Sequence, residues 1–213
     1  MSLRARQQEE KQERRDSILD AAEQVFFAKG VDRATMDDIA RSARLSRGLL
    51  YVYFRDKQDI LASILLRALE SLRQRFRDVD DPDLSGADRI LAMGRNYLAF
   101  SRQQPNYFDV LTRAASDWMH SESLTDQDSL LHCSGEVMEI MAQALSDGLA
   151  DGSIDPARVR EPMETALYLR GALHGVIMLT RNFAHRPEEM AGVAPDALIE
   201  YSLLTLADSL RRR

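Results

Sequence analysis

The sequence predicts an all-α protein of about nine helices. Three observations predict it. Apolar residues recur at three- and four-residue spacing along almost the whole chain, and no run alternates as a half-buried strand does. Ser, Thr, Asp and Pro fall where such helices would start. The 213 residues, 45% hydrophobic and 29% charged, suffice for one large or two modest domains with a real core.

Following the charged stretch "MSLRARQQEEKQERRDS", read as an arm, a first helix carries Ile18, Ala22, Val25 and Phe26 on one face, and Gly30 closes it. Thr35 with Asp38 forms a capping box for a short second helix that turns Met36, Ile39, Ala40 and Ala43 inward. Ser46 caps a third, which runs from Arg47. Asp56 with Asp59 caps a long amphipathic helix carrying Ile60, Leu61, Ile64, Leu65, Ala68, Leu69, Leu72 and Phe76. "DVDDPDLSG" is a polar break. Helices are then expected over 87–103, around 107–119 and over 126–150, and, after the turn-rich "DGSIDPARVREP", over 162–184 and 195–213, the last two starting on proline. This divides the chain into a three-helix module at 1–57 and a larger helical domain at 58–213.

Net charge is −6, unevenly spread: 12 Lys and Arg face 10 Asp and Glu through Lys57, against 16 and 24 beyond it. An anion-binding module at the front is therefore allowed. There is no apolar leader, no stretch long enough to span a membrane, and one cysteine, which together fit a cytoplasmic protein. No phosphate-binding glycine loop or nucleophile elbow is present, so no enzyme and no cofactor is expected. His132 and Glu136 share a helix face without a convincing third ligand, so no metal is expected either. Cys133 is either a thiolate sensor or an inert half-buried thiol.

The third helix poses the functional question. Leu50 and Phe54 face the module's own core, while Gly48, Leu49, Val52 and Tyr53 point the other way. Either the larger domain covers that second face or a DNA groove does. In a helix-turn-helix unit the second helix enters the major groove. Gly48 then permits close approach, Leu49 and Val52 meet thymine methyls, Arg47 reaches a guanine edge, and the Tyr51 and Tyr53 hydroxyls reach phosphates. Lys57, a cation in a helix's first turn, opposes the helix dipole and points to an external anion such as phosphate.

"TMDDIARSARLSRGLLYVYFRDKQDIL" resembles the N-terminal DNA-binding module of the TetR family of transcriptional regulators. Thr35, Ile39 with Ala40, Ala43, Leu45 before Ser46, Gly48, Tyr51, Tyr53 with Phe54, and Lys57 carry the resemblance. The preceding "ILDAAEQVFFAKGVDRAT" resembles the family's first helix and turn. It implies that Thr35, Tyr51, Tyr53 and Lys57 hold the DNA backbone while Arg47, Gly48 and Leu49 meet bases. Arg44 stands where the family usually has glycine; either the turn differs or Arg44 reaches a phosphate. Arg4, Arg6, Arg14 and Arg15 either add electrostatic contacts or belong to a solvated tail.

The resemblance also implies a homodimer through the last two helices. There Gly171, Ala172 and Gly175 permit close approach, and Leu198, Ile199, Ser202, Leu203, Leu206 and Leu210 share a broad face; monomer core is the alternative. It implies, too, a pocket for a small, largely apolar effector. Met93, Tyr97, Phe100, Phe108, Trp118, Met119, Met138, Met141, Tyr168 and Met178 suit such a pocket or an ordinary core, with Arg113, His120 and His174 as polar candidates. The expected function is a repressor released by its effector from a palindromic operator in double-stranded DNA. The alternatives are an all-α small-molecule enzyme whose N-terminal helices serve oligomerisation, and a DNA-binding dimer without an effector.

Overall fold

The computed structural model describes residues 3–113, 127–183 and 192–212. Among them lie nine α-helices: α1 (Leu3–Lys29), α2 (Met36–Ser42), α3 (Arg47–Tyr53), α4 (Lys57–Asp78), α5 (Gly86–Gln103), α6 (Pro105–Arg113), α7 (Gln127–Ala150), α8 (Pro162–Phe183) and α9 (Pro195–Leu210). The chain divides into two compact units, Met1–Ala68 with Asp109–Leu130, and Leu69–Phe108 with Leu131–Arg213. The division falls inside α4, beyond the boundary after Lys57 that the sequence suggests.

In the first unit, the stretch read as an arm is helical from Leu3. Arg, Gln, Glu, Lys and Ala, with no Gly or Pro, favour this, and pairs four residues apart support it, Arg6 with Glu10 and Gln12 with Asp16. Gly30, at φ 80°, ends α1. Ile18, Leu19, Ala22 and Phe26 bury against Ile39, Leu50, Phe54, Ile60 and Ile64 in the unit's core. Arg67 of α4 clamps α1, donating to Asp16 (2.8 Å), Asp20 (2.8 Å) and Glu23 (3.1 Å).

In the second unit, α5 starts at the Ser85 cap and passes α7 closely. A Cβ on Gly86 would stand 2.2 Å from the Gly148 backbone nitrogen, so only glycine fits there. Arg89, almost fully buried, bridges Asp80 and Asp147 at 2.6 Å each. The last helix stops at Leu210, short of the expected 213. Arg211 leaves it to pair with Ile154 and to reach Asp88 at 2.6 Å, exchanging helical for tertiary bonds.

Candidate functional site

Two helix-start boxes and one strained turn set the geometry of α2 and α3. The Thr35 hydroxyl accepts from the Asp38 N–H (3.1 Å), while the Asp38 carboxylate accepts from the Thr35 N–H (3.2 Å) and from the Lys29 ammonium (2.7 Å). Those bonds hold the Asp38 carboxyl at about 2, the Lys29 bond most strongly. Ser46 caps α3 by accepting from the Leu49 N–H at 3.2 Å. Between them, the Leu45 N–H reaches the Ala40 carbonyl (2.9 Å) and the Arg44 N–H the Arg41 carbonyl (3.2 Å). This is a Schellman closure, and it requires a left-handed residue. Arg44 fills that role at φ 56°, where a side chain costs about 1 kcal/mol. The turn therefore keeps the geometry of a glycine without the glycine, and the exposed arginine is directed outward.

The result is a helix with two faces. Leu50 and Phe54 are sealed in the core. Opposite them Leu49 is 40% exposed, Tyr51 43% and Val52 69%, with Tyr53 half-buried beside them. A Cβ on Gly48 would meet nothing within 4 Å. Glycine inside a helix costs about 1 kcal/mol against alanine, and nothing within the unit accounts for it.

Arg47 rests on this face. Its guanidinium pairs with Asp37 (3.3 Å), approaches the Tyr51 hydroxyl (3.4 Å) and lies 5.6 Å from the Tyr51 ring centroid. The hydrogen bond to Tyr51 and the charge of Asp37 together raise its pKa further. Asp37 was not legible as a partner, although its place in the first turn of α2, beside a following cationic helix, was the available signal.

Lys57 behaves differently from expectation. Its ammonium donates to the carbonyls of Val31 (2.9 Å), Asp32 (3.3 Å) and Ala34 (3.2 Å). The first-turn cation of α4 thus serves internal carbonyls, which replace the external anion inferred from it. Arg15 is also turned inward: it donates to the Ser63 hydroxyl (2.7 Å) and lies 4.7 Å from the Phe54 ring centroid. Arg4, Arg6 and Arg14 are exposed.

The second unit holds a narrow cavity of about 40 Å³, lined by residues of α4, α5, α7, α8 and α9. Met93, Tyr97 and Met141 are among its lining residues. Phe100, Phe108 and Met138 are buried outside its wall, and Met178 is half-buried. Tyr97 and His174 share a hydrogen bond of 2.7 Å between the phenol oxygen and Nδ1. Burial pushes the Tyr97 hydroxyl up to about 12 and holds the imidazole below its ordinary value, assisted by Arg170 and Arg181. The polar member that sequence reasoning missed is Arg170, which lines the cavity one turn before His174. Trp118, Met119 and His120 lie outside the described residues, as does the side chain of Arg113.

Tyr168 corrects an expectation. It is 63% exposed and faces away from the cavity, because on α8 it sits about 100° from Leu169 and about 140° from Leu173. It shares the outward stripe with Gly171, Gly175 and Leu179, and both glycines have open space at Cβ. On α9 the expected broad face is divided. Ile199, Leu203 and Leu210 pack inside the subunit and Leu198, Ser202 and Leu206 are half-buried, while the exposed Tyr201 and Leu204 lie outside that expected face.

Cys133 is buried, and burial raises its thiol pKa, which removes the basis for a thiolate sensor. Glu136 is bound by Arg73 and stands 4.0 Å from His132. Among the described residues no three metal-ligating side chains gather, and no helix is long and apolar enough to cross a membrane.

Comparison with known proteins agrees with this geometry. Residues 18–64 match the family "Bacterial regulatory proteins, tetR family", and residues 90–206 match "Tetracyclin repressor-like, C-terminal domain". The HTH-type transcriptional regulator TtgR of Pseudomonas putida is 29% identical over 172 residues, 74% of this chain and 78% of that protein. The HTH-type transcriptional repressor BepR of Brucella suis is 50% identical over 56 residues, 26% of this chain and 27% of its own. Among solved structures, SmeT, the repressor of the Stenotrophomonas maltophilia multidrug efflux pump SmeDEF, superposes with a TM-score of 0.66 at 20% identity, over 93% of this chain and 90% of that one. With the reading helices matched at the front and more than half of the chain matched behind them, this protein belongs to the TetR family of transcriptional regulators.

Proposed function

We propose that the chain is an effector-released repressor, working in the cytoplasm as a homodimer on a palindromic operator. Residues 1–57 read DNA, and 58–213 carry the effector cavity and the dimer face. The observation that carries the reading is the outward face of α3, where Leu49, Tyr51 and Val52 stand exposed around Gly48 and Arg47. Apolar groups, an open glycine and a guanidinium on one small helix fit a major groove. Thr35, Arg44 and Ser46 ahead of that helix, with Tyr51 and Tyr53 on it, serve as DNA-backbone contacts, and Lys57 holds the start of α4 in place. The outward stripe of α8, with Tyr201 and Leu204 of α9, is the pairing face. Repression is the sense favoured by relatives whose names describe repressors.

Effector binding works by favouring one separation of the two reading heads over another. Selection of bound fragments from random duplex DNA should return a palindrome. Affinity for it, read by fluorescence anisotropy, should fall steeply with salt. Equal affinity for the selected and a scrambled duplex at every salt concentration would overturn the reading.

One observation favours a second reading. A 40 Å³ cavity holds only a few water molecules, as in a DNA-binding dimer whose pocket is filled by its own side chains. A ligand that raises Tm and lowers operator affinity decides for the first reading.

A further inference from the structure

Resting on the effector reading above, we propose that the cavity of the second unit receives an apolar carboxylate, with Arg170 and the Tyr97–His174 pair forming its anion-binding pole. Helix α8 has two distinct sides. At 100° per residue, Arg170, His174 and Arg181 fall within a narrow arc next to the buried Leu173 and Ile177, well away from the outward stripe of Tyr168, Gly175 and Leu179. Of these three, Arg170 lines the cavity, at its exposed edge.

Tyr97 links the cavity to His174. Arg170 and Tyr97 both line the cavity. The Tyr97 hydroxyl is 2.7 Å from His174 Nδ1. The imidazole packs 5.3 Å from the Phe108 ring, and the Arg181 guanidinium lies 5.2 Å from that ring's centroid. The charges acting on the Tyr97–His174 pair are those of Arg170 and Arg181, both positive. Among the described residues no carboxylate lies within ion-pair distance of Arg170.

This arrangement sorts headgroups. A neutral phenol–imidazole pair spends one donor on its shared bond and keeps one, the phenol O–H or the imidazole N–H, for a ligand. An arginine adds a planar fork suited to two carboxylate oxygens. A cationic ligand would meet like charge from Arg170, and a neutral amide would leave that guanidinium without a counter-charge. The remaining wall is aliphatic, with Ile90, Leu203 and Leu206 around Met93 and Met141. The two flexible thioethers and the exposed stem of Arg170 are the parts that can move to enlarge so small a space.

Titration calorimetry on the full-length protein with 4-butylbenzoate, 4-butylbenzamide and 4-butylbenzylamine tests the proposal, since the three share one body. The benzoate should bind at least tenfold more tightly than the other two. Arg170→Ala, checked for folding by circular dichroism, should bring it within twofold of the amide, and Arg170→Lys should retain most of the preference. Equal affinities, tighter binding of the amine, or a preference that survives Arg170→Ala would each overturn the proposal. So would binding of none of the three. Release of labelled operator by any of them, measured separately, reports on the effector reading itself and keeps the two failures apart.

Discussion

Helices α3 and α8 each bury one side and expose an apolar other, yet the exposed sides differ in kind. That of α3 is short, knobbly and tipped with polar atoms: Arg47, two tyrosine hydroxyls and an open glycine among Leu49 and Val52. On α8 the side runs for several turns, with Tyr168, Leu179 and two glycines whose Cβ positions are empty. Small residues beside large ones let a second helix lie close along the whole length, the pattern of a protein interface. A two-turn helix cannot offer that area, but it can enter a groove. Apolar exposure thus has two meanings here, separated by length and by where the polar atoms sit.

The largest test of this contrast is Tyr168→Glu. Light scattering should show the dimer dissociate, and operator affinity should fall by about a hundredfold or more, because two linked heads bind far better than one. Next come the two sides of α3. Leu50→Ala should cost about 2–5 kcal/mol of unfolding free energy. Val52→Ala should cost less than about 0.5 kcal/mol, while still weakening operator binding. Denaturant melts and anisotropy separate the two; equal destabilisation would mean that Val52 is covered. Arg47→Ala should remove about 1–3 kcal/mol of discrimination at one base position, read by competition between operator variants.

Gly48→Ala makes a smaller claim with an unusual sign. Alanine in open space should stabilise the fold by up to about 1 kcal/mol while reducing operator affinity, since the added methyl stands where the groove approaches. The smallest effect concerns the inward side of α8. Burial holds the folded-state pKa of His174 below its ordinary 6.5, so the unfolded chain takes up the proton first. Stability is complete above about pH 6.5 and declines as pH falls below it. Wild-type Tm should drop further between pH 7.5 and 5.5 than that of His174→Gln.

The helix starts were legible because their signals are local. Thr35 with Asp38, Ser46, and Asp56 with Asp59 act within one turn of themselves, and all three sets cap as read. At Arg44 the resemblance left open whether the turn differs, and the structure keeps a left-handed residue there. Contacts between distant segments were not legible. Lys57 looked like an unpaired cation because its carbonyl partners, at Val31, Asp32 and Ala34, are set by tertiary folding. Tyr168 looked like a pocket residue because an aromatic among aliphatics reads alike on either side of a buried helix. Arg170 went unnoticed for the converse reason: a charged residue reads as solvent-facing unless its four-residue spacing to His174 is set against the cavity behind them. The arm was misjudged on charge, although its propensities and paired side chains describe a helix.

The Lys57 ammonium has one more implication. By gripping the carbonyls of Val31, Asp32 and Ala34 just ahead of the Thr35 cap, it fastens the beginning of α4 to the α1–α2 connection like a rivet. The first turn of α4 therefore has no soft joint: within the first unit it and the connection that precedes α2 are held as one piece.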